Sequence, residues 1–384
     1  MIGALFDFLK ARKELKRFRS IPRPERQIVF YSEGPGYWSH FEPIYSALQK
    51  AGQRVLYVTS RHDDPVYQDP PPGIQAFNLG SGVVCTLFFA TLDVDVLVMT
   101  MPDLNTFHIK RSPYGVHYAY LHHSIVSTHM VYRPGAFDHF DSVFCVGPHH
   151  VREIRKREEQ EQLPPKILLE HGYGRLDGML RDDDARPSHE ARSILVAPSW
   201  GENSLLNLCA TELIDNLLDA GHHVILRPHP RSRQLSPKLL EGIQRRYKQR
   251  SAFALDEDMD AHATLASAGV MISDWSGAAL EFAFAYRRPV LFIDVPRKVR
   301  NPDYEKLGIE PLEASIRNEI GLVLAPARLC DASDVIKEML ANAGSWEERI
   351  LAARRRHIFN LGNSGTVAAS FLMQQSSRHR ERSR

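Results

Sequence analysis

The sequence predicts an α/β protein with two domains, each built around a parallel sheet that helices cover on both faces. Strand-like apolar runs alternate with helical patterns from residue 27 onward, which is the order expected of parallel sheets. The 384 residues are too many for one typical core and suit two domains. A polar stretch at 181–192, rich in Asp and Arg, separates two such halves and is the best candidate for a linker.

The first half begins with a strand at 27–32, a turn at 33–36, a helix at 41–51 and a strand at 54–59, which together make a right-handed βαβ start. Further strands are predicted at 74–78, 94–99, 118–122, 142–146 and 166–170. The second half restarts with strands at 193–197, 224–227, 270–273 and 290–293 and with helices at 205–220 and 237–249.

These elements predict five segments. They are a basic amphipathic segment at 1–26, a first domain at 27–185, a second domain at 193–345, helices at 346–375 that cross back to the first domain, and a disordered tail at 376–384.

Composition and charge exclude several classes of function. The chain is 43% hydrophobic and 24% charged, with a formal net charge of +2, which is typical of a soluble globular protein and gives no overall field for nucleic acid. The four cysteines lack metal-ligand or paired spacing, so we expect no metal and a reducing, cytoplasmic location. No apolar run reaches membrane-spanning length.

The N-terminus carries an amphipathic pattern. Ile2, Leu5, Phe6 and Leu9 recur at helical spacing, and six Lys or Arg residues follow between positions 10 and 19. Such a helix could lie on an anionic membrane surface, which would make the protein a peripheral one on the inner face of the cell membrane. A helix that packs on its own protein shows similar spacing, and the sequence does not separate the two interpretations.

A phosphate-binding pattern lies at 270–293, which reads as strand, turn, helix and strand. Small residues stand where the helix begins, and they leave its backbone amides uncrowded. Ser273 and Ser276 could add hydroxyl donors, and Glu281 could accept hydrogen bonds from ribose. The residues of this set are Ser273, Asp274, Ser276, Gly277, Ala278 and Glu281. The alternative is an ordinary buried helix capped by Asp274 or Ser276.

A second pattern follows the strand that ends at 226. Arg227, Pro228, His229, Pro230 and Arg231 are consecutive. Two prolines force a turn there, which presents the basic side chains at the carboxyl edge of the sheet, where open α/β sheets bind ligands. Arginine suits phosphate oxygens, and histidine can donate a hydrogen bond to a leaving phosphate or protonate it. Alternatively, His229 only satisfies loop carbonyls.

Six motifs resemble those of the CDP-glycerol glycerophosphotransferases of teichoic-acid and capsule synthesis. In the order of the chain they are Tyr-Leu-His-His-Ser at 120–124, Gly-Tyr-Gly-Arg-Leu-Asp at 172–177, Ala-Pro-Ser-Trp at 197–200, Arg-Pro-His-Pro at 227–230, Ser-Asp-Trp-Ser at 273–276 and 360–366. The resemblance covers most of residues 28–370. It departs from the family at Gly277 (often Ser), Glu281 (often Asp), Ser124 (Gly) and Gly174 (Pro).

The resemblance implies a GT-B fold, in which two Rossmann-like domains face each other across a cleft, and transfer of a polyol phosphate from a CDP-alcohol to a hydroxyl of a glycan or lipid-linked acceptor. It implies no cofactor beyond that donor. His123 is then the general base, with His122 as the alternative, and one of the two is structural. His229 and Arg227 would stabilise the departing phosphate.

Arg231 and Ser199 complete the donor-binding set, and we expect Asp274 to cap the helix rather than orient His229. Two other classes stay open: a nucleotide-sugar glycosyltransferase or 2-epimerase that uses the same diphosphate helix, and a non-catalytic nucleotide-binding protein.

Overall fold

A computed structural model describes residues 2–181, 193–256 and 262–382 of the chain. The chain divides into two compact units. Unit 1 comprises Met1–His123, Arg133–Gly178 and Ile358–Arg384, and unit 2 comprises Ser124–Tyr132 and Met179–His357. The predicted linker at 181–192 lies outside the described residues, except for Arg181.

In chain order the strands are β1 Ile28–Ser32, β2 Val55–Thr59, β3 Ile74–Asn78, β4 Val96–Met99, β5 His117–Leu121, β6 Ser142–Cys145, β7 Ile167–Glu170, β8 Ser193–Val196, β9 His223–Leu226, β10 Phe253–Leu255, β11 Ala268–Ser273, β12 Val290–Ile293 and β13 Gly321–Leu324. The helices are α1 Ile2–Arg19, α2 Trp38–Lys50, α3 Pro65–Gln68, α4 Val83–Ala90, α5 Thr128–Val131, α6 Pro148–Gln160, α7 Gly174–Arg181, α8 Leu205–Leu208, α9 Ala210–Asp219, α10 Pro230–Leu235, α11 Pro237–Tyr247, α12 His262–Ser267, α13 Gly277–Tyr286, α14 Leu312–Ser315, α15 Arg317–Ile320, α16 Ala332–Ala341, α17 Ala343–His357 and α18 Ser364–Arg382. Short 3₁₀ helices lie at Arg23–Glu25, Tyr304–Leu307 and Pro326–Asp331.

Unit 1 holds a seven-stranded sheet in the order β3-β2-β1-β4-β5-β6-β7, and every pair in it is parallel. All five residues of β1 are buried, as expected of a strand with helices on both faces. The strand order reverses between β1 and β4, so the carboxyl ends of these two strands mark the place where open α/β sheets bind ligands.

Unit 2 holds a six-stranded sheet in the order β10-β9-β8-β11-β12-β13, which is also parallel throughout. Its order reverses between β8 and β11. Strands β8 and β11 lie on either side of this reversal. Both are apolar at their centres, and β11 is buried along its whole length. The carboxyl ends of β8 and β11 therefore define the expected ligand position of this sheet.

The C-terminal helices differ from the prediction. Helix α17 belongs to unit 2 and only α18 joins unit 1, where Ala368, Ala369 and Leu372 enter the core beside Phe41 and Ile44 of α2. The segment at 346–375 therefore does not cross back as one body, because α17 has its own apolar contacts in unit 2 through the buried side chains of Trp346 and Ile350.

The expected disorder of the tail is wrong for residues 376–382, which continue α18. Ser376 is buried, and its hydroxyl donates a 2.7 Å hydrogen bond to Asp95. The same carboxylate lies 3.3 Å from His379 and 3.9 Å from Arg380. A buried carboxylate needs such partners, and they favour helix to the end of the described chain.

The first helix is half buried and half exposed. Ala11, Leu15 and Phe18 are buried, and the Phe18 ring packs edge to face against Phe77 and Phe88. The first turns carry exposed apolar side chains instead, so packing on the protein itself is confirmed only for the second half of α1. Among the described helices, none is long and apolar enough to cross a membrane.

Candidate active site

The second sheet brings three predicted segments to one edge. Ser199 and Trp200 follow β8, Arg227 and His229 follow β9, and the turn at 274–276 joins β11 to α13. Because parallel strands end at the same edge, this neighbourhood surrounds the reversal of strand order between β8 and β11. The predicted sequence of strand, turn, helix and strand at 270–293 is confirmed.

Helix α13 begins with a serine cap. Ser276 has an extended backbone, and its hydroxyl accepts a 3.3 Å hydrogen bond from the amide of Ala278. The amide of Ala279 bonds to the carbonyl of Ser276 at 3.1 Å. The amide of Gly277 has no partner among the described residues, so it is the donor that this helix start leaves for an anion.

Gly277 and Ser124 lie side by side at the start of α13. A Cβ atom built on Gly277 would lie 2.9 Å from Oγ of Ser124, which is too close for real Cβ atoms. Ser124 is a residue of unit 2. Its hydroxyl therefore takes the space at the start of α13 that a side chain at 277 would need, and glycine is the residue that fits beside it.

Asp274 does cap a helix, but it is not α13. Its carboxylate accepts hydrogen bonds from the amide of Ser199 at 2.7 Å and from the amide of Leu205, the first residue of α8, at 2.8 Å. The hydroxyl of Ser199 donates to the same carboxylate at 3.0 Å. The expected cap of α13 by Asp274 is wrong, because the carboxylate ties the loop after β8 to β11 and leaves the start of α13 to Ser276.

The two remaining serines of the predicted set are also committed to the fold. Ser273 is fully buried, and its hydroxyl donates to the carbonyl of Ala197 at 2.7 Å. The hydroxyl of Ser199 already donates its hydrogen to the carboxylate of Asp274. Neither hydroxyl has a hydrogen left for a phosphate, so the structure contradicts their assignment as donor contacts. They hold β8 and β11 together instead.

His229 caps α10 with its ring. Nδ1 accepts a 3.1 Å hydrogen bond from the amide of Arg231, which places the ring hydrogen on Nε2. Burial lowers the pKa of His229 to about 4, and the charges of Lys298 and Arg231 add to this effect. At neutral pH the ring is uncharged, and Nε2 can donate to an anion. Pro230 occupies the first helical position, as a proline tolerates.

The two arginines of this turn have different surroundings. Arg227 is largely buried, and its Nε lies 3.8 Å from the carboxylate of Asp256, which offsets its charge. Arg231 is exposed, and its guanidinium lies 4.1 Å from the centre of the Trp200 ring. Glu281 is partly exposed on α13, one turn after Gly277, which is the position predicted for a ribose contact.

Sequence reasoning missed Lys298, Arg300 and the role of Trp200. The ammonium of Lys298 lies 4.1 Å from the centre of the Trp200 ring, and the guanidinium of Arg300 lies 5.9 Å from it. A signal was present, because residues 297–300 read Arg-Lys-Val-Arg shortly after the strand that ends at 293. Basic residues at the carboxyl end of a parallel strand predict an anion site by the same rule that was applied to 227–231.

In unit 1 the structure separates the two adjacent histidines. His122 is 2% exposed, and its ring packs 3.9 Å from that of His150 and 4.8 Å from that of Tyr120. Burial holds its pKa well below the usual range, with His150 as the next cause. His122 is therefore packed among aromatic and histidine rings of unit 1.

His123 is more exposed and is held from several sides. Its Nδ1 lies 3.4 Å from the hydroxyl of Tyr120, and its backbone carbonyl accepts a 3.1 Å hydrogen bond from the hydroxyl of Tyr173. The ring of Tyr37 lies 5.5 Å away, edge to face. Burial lowers the pKa of His123 to about 4, and a hydrogen bond to the backbone of Thr100 opposes the shift. The ring is neutral at pH 7 and can accept a proton.

Two further groups stand at this edge of unit 1. Burial raises the pKa of Glu33, which directly follows β1, to about 7. His40 is 5% exposed, its ring lies 6.3 Å from that of His123, and its Nδ1 has no hydrogen-bond partner in the described part of the chain. Both follow the strand at which the order of the sheet reverses, and sequence reasoning assigned neither a catalytic role.

Two of the six motifs, those at 172–177 and 360–366, are hydrogen-bonded to each other. The carboxylate of Asp177 accepts hydrogen bonds from the amides of Gly362 and Ser364 at 2.7 and 2.9 Å. A Cβ atom on Gly174 would lie 2.9 Å from the carbonyl of His40, so the backbone of this motif runs against α2. The motifs at 172–177 and 360–366 therefore build unit 1 around α18. Within the described residues, no group of three or more His, Cys, Asp or Glu side chains could hold a metal ion.

The two parallel sheets and the likenesses to solved structures define an α/β protein of the GT-B fold, as the sequence predicts. No model of a known protein family matches the chain, and no curated protein matches it in sequence. Among solved structures it is similar to the wall teichoic acid polymerase TagF, with 16% identity, a TM-score of 0.64 and 99% of each chain covered.

Other enzymes share the fold. UDP-GlcNAc 2-epimerase of Methanocaldococcus jannaschii, in complex with UDP-GlcNAc and UDP, matches with 13% identity and a TM-score of 0.55, over 91% of this chain and 99% of that one. WaaG, a glycosyltransferase involved in lipopolysaccharide biosynthesis, matches with 14% identity and a TM-score of 0.51, over 90% and 99%. At these identities the likeness defines the fold.

Proposed function

We propose that the protein is a transferase that moves a polyol phosphate of the glycerol phosphate type from a CDP-activated donor to a hydroxyl of a glycan or lipid-linked acceptor, in cell-surface polymer synthesis, with release of CMP. The observation that carries the proposal is the edge of the unit 2 sheet at which the start of α13, a neutral His229 and the basic side chains around Trp200 follow the ends of parallel strands. The likeness to a teichoic acid polymerase over nearly the whole chain supports it.

On the donor side, each group supplies one interaction. The amide of Gly277 and Nε2–H of His229 donate to the diphosphate, and His229 stabilises the charge that grows on CMP as the bond to the transferred phosphorus breaks, while Arg231 attracts the negative charge of the diphosphate. Glu281 accepts hydrogen bonds from the ribose. A structure of a TagF variant soaked with CDPG shares the fold, with 15% identity and a TM-score of 0.56 over 97% of this chain and 98% of that one.

On the acceptor side, His123 takes the proton of the attacking hydroxyl. Its ring is neutral at pH 7, and the contacts of Tyr120 and Tyr173 fix its position. The imidazole accepts the proton as the acceptor oxygen attacks phosphorus.

The test is to supply CDP-glycerol, CDP-ribitol and common nucleotide sugars with membrane extract as acceptor, and to identify the nucleotide released. We expect CMP from a CDP-alcohol. Release of UDP or GDP from a nucleotide sugar would instead favour a glycosyltransferase or 2-epimerase, for which the likeness to an epimerase bound to UDP is the supporting observation. Tight nucleotide binding without turnover would identify a non-catalytic protein.

His229→Ala should lower the rate of CMP release by roughly a hundredfold or more, because it removes a hydrogen-bond donor from the leaving phosphate. His223→Ala is the matched control, since His223 is exposed at the opposite end of the same strand, β9. Near-normal CMP release by the His229 variant, with both proteins folded by circular dichroism, would remove His229 from the chemistry.

We also propose that the start of α1 binds an anionic membrane surface. Leu5, Phe6 and Leu9 are 61%, 56% and 51% exposed, and basic residues follow them along the helix. Apolar side chains enter the headgroup region while Lys and Arg attract anionic lipid.

Changing Leu5, Phe6 and Leu9 to Ser should abolish sedimentation with vesicles that contain phosphatidylglycerol and leave the thermal midpoint unchanged. Deletion of residues 1–20 would be a poorer test, because it also removes the buried Phe18. Changing the exposed Leu340 of α16 to Ser is the control. Vesicle binding equal to that of the unaltered protein would refute this role of α1.

A further inference from the structure

Positively charged side chains from the loops after two different strands lie around the Trp200 ring. Arg231, from the loop after β9, and Lys298, from the loop after β12, each lie 4.1 Å from the centre of the ring. The two charges are thus separated by at most twice that distance. Arg300 lies 5.9 Å from the same centre, and the His229 ring lies 6.1 Å from it. Trp200 itself follows β8, so three strands contribute to this Trp200 cluster.

The positive charges of the Trp200 cluster lack acidic partners. None of Arg231, Lys298 and Arg300 makes an ion pair within residues 2–181, 193–256 and 262–382. By contrast, Arg297 pairs with Glu310 at 2.9 Å, and Arg317 pairs with Asp294 at 2.8 Å. The face of an indole ring attracts cations, but less strongly than a carboxylate or a phosphate does.

Lys298 shows the effect of this crowding. It is only partly exposed, and burial lowers the pKa of its ammonium to about 8, with Arg300 and Arg231 adding to the shift and Asp274 opposing it. Asp274 does not neutralise the cluster, because its carboxylate already accepts hydrogen bonds from Ser199 and Leu205. Like charges held this close, without a counter-ion and at the carboxyl edge of a parallel sheet, are typical of an anion site.

We propose that Lys298, Arg231 and Trp200 form a subsite for the second, distal phosphate of a nucleoside diphosphate group, next to the start of α13. This inference rests on the proposed function and adds to it the residue that distinguishes donor from product. In the transfer reaction, the distal phosphorus is the atom that the acceptor oxygen attacks, and the P–O bond to CMP breaks. Lys298 contacts the phosphoryl group while it is transferred. The released CMP has no second phosphate to occupy the subsite.

The experiment compares the affinities of the full-length protein for CDP and CMP by titration calorimetry, in the unaltered form and as Lys298→Met, Lys298→Arg and Lys306→Met. Lys306 is an exposed lysine of unit 2 that pairs with Asp303, and it serves as the matched control. We expect Lys298→Met to weaken CDP binding on the order of tenfold, as loss of a charge-assisted hydrogen bond does. CMP affinity should change by less than about twofold, and Lys298→Arg should restore most of the CDP affinity.

An equal loss of affinity for CDP and CMP, or no loss for either, would overturn the subsite. The base of the nucleotide is a separate matter. If the unaltered protein binds UDP rather than CDP, the proposed CDP donor fails, while a selective loss of UDP over UMP binding in Lys298→Met would still support the subsite. If the unaltered protein binds no nucleoside diphosphate, both proposals fail.

Discussion

At the scale of single residues, the start of α13 is shaped by two neighbouring positions, 277 and 124. The Ser124 hydroxyl lies where a side chain at 277 would have to go, so glycine fits there. Residues that touch in this way are expected to be coupled energetically.

Gly277→Ser alone should lower stability by roughly 1 kcal/mol, because Ser124 must rotate away or the helix must shift. Ser124→Gly in the same chain should recover most of this loss. Urea denaturation of the two single variants and the double variant measures the coupling free energy. Additive effects, with no recovery in the double variant, would show that the two positions do not compete for the same space.

Other residue roles lay beyond sequence reasoning for a clear physical reason. Asp274 was expected to cap the helix that follows it, but its partners Ser199 and Leu205 are about seventy positions earlier. Such a pairing depends on β8 and β11 being neighbours in the sheet, which no local pattern shows. The burial of His122 likewise depends on His150, which belongs to α6 and is distant in sequence.

At the scale of elements, the sequence was a better guide. Periodicity and turn residues predicted the seven strands of the first sheet, four of the six strands of the second sheet and the run of strand, turn and helix at 270–293, which the structure confirms. The two edge strands β10 and β13 were not predicted. These features are local, because a strand's apolar run and a helix's capping residue are consecutive in the chain. The tail at 376–382 was mispredicted, since its composition suggested disorder while its contacts with Asp95 are distant in sequence.

Helix α18 owes its position to a close backbone contact with α2. A Cβ atom on Gly365, near the start of α18, would clash with the carbonyl oxygen of Pro43. The atom that position 365 approaches belongs to the backbone of α2, and backbone cannot rotate out of the way as a side chain can. Ala368 and Leu372 then enter the core that they share with Phe41.

Gly365→Ala should therefore lower the free energy of unfolding by roughly 2 kcal/mol or more, through overpacking against backbone. Gly344→Ala in α17 is the matched control, because a Cβ there meets nothing within 4 Å and alanine favours helix. Thermal denaturation compares the two variants. Equal midpoints would mean that the approach of α18 to α2 can relax without cost.

At the scale of the whole molecule, buried histidines are distributed unevenly. His40, His122 and His171 are at most 5% exposed, and all belong to unit 1, as does His123. Burial lowers the pKa of His171 to about 4, and it holds that of His40 well below the usual range. Histidine in an unfolded chain has a pKa near 6.5, so folding keeps these rings neutral at pH values where the unfolded chain binds protons.

The difference between the histidine pKa values in the folded and unfolded chain makes the stability of unit 1 depend on pH. Between pH 6.5 and about 4 the unfolded chain binds more protons than the folded one, so the stability of unit 1 should fall as pH falls through this window, by about 1.4 kcal/mol for each pKa unit of each group. Trp38 lies in unit 1, whereas Trp200, Trp275 and Trp346 lie in unit 2. Tryptophan fluorescence can therefore follow the two units separately.

Urea titrations at pH 7 and pH 5 should show this difference. At pH 5 we expect the unaltered protein to have an early fluorescence transition that is absent from Trp38→Phe, because that variant reports unit 2 alone. At pH 7 the early transition should move to higher urea, since the histidines are then neutral in both states. Transitions that coincide in the two proteins at both pH values would contradict the prediction. They would mean that protonation of the buried rings destabilises no part of the molecule selectively, and that acid acts through carboxylates in both units.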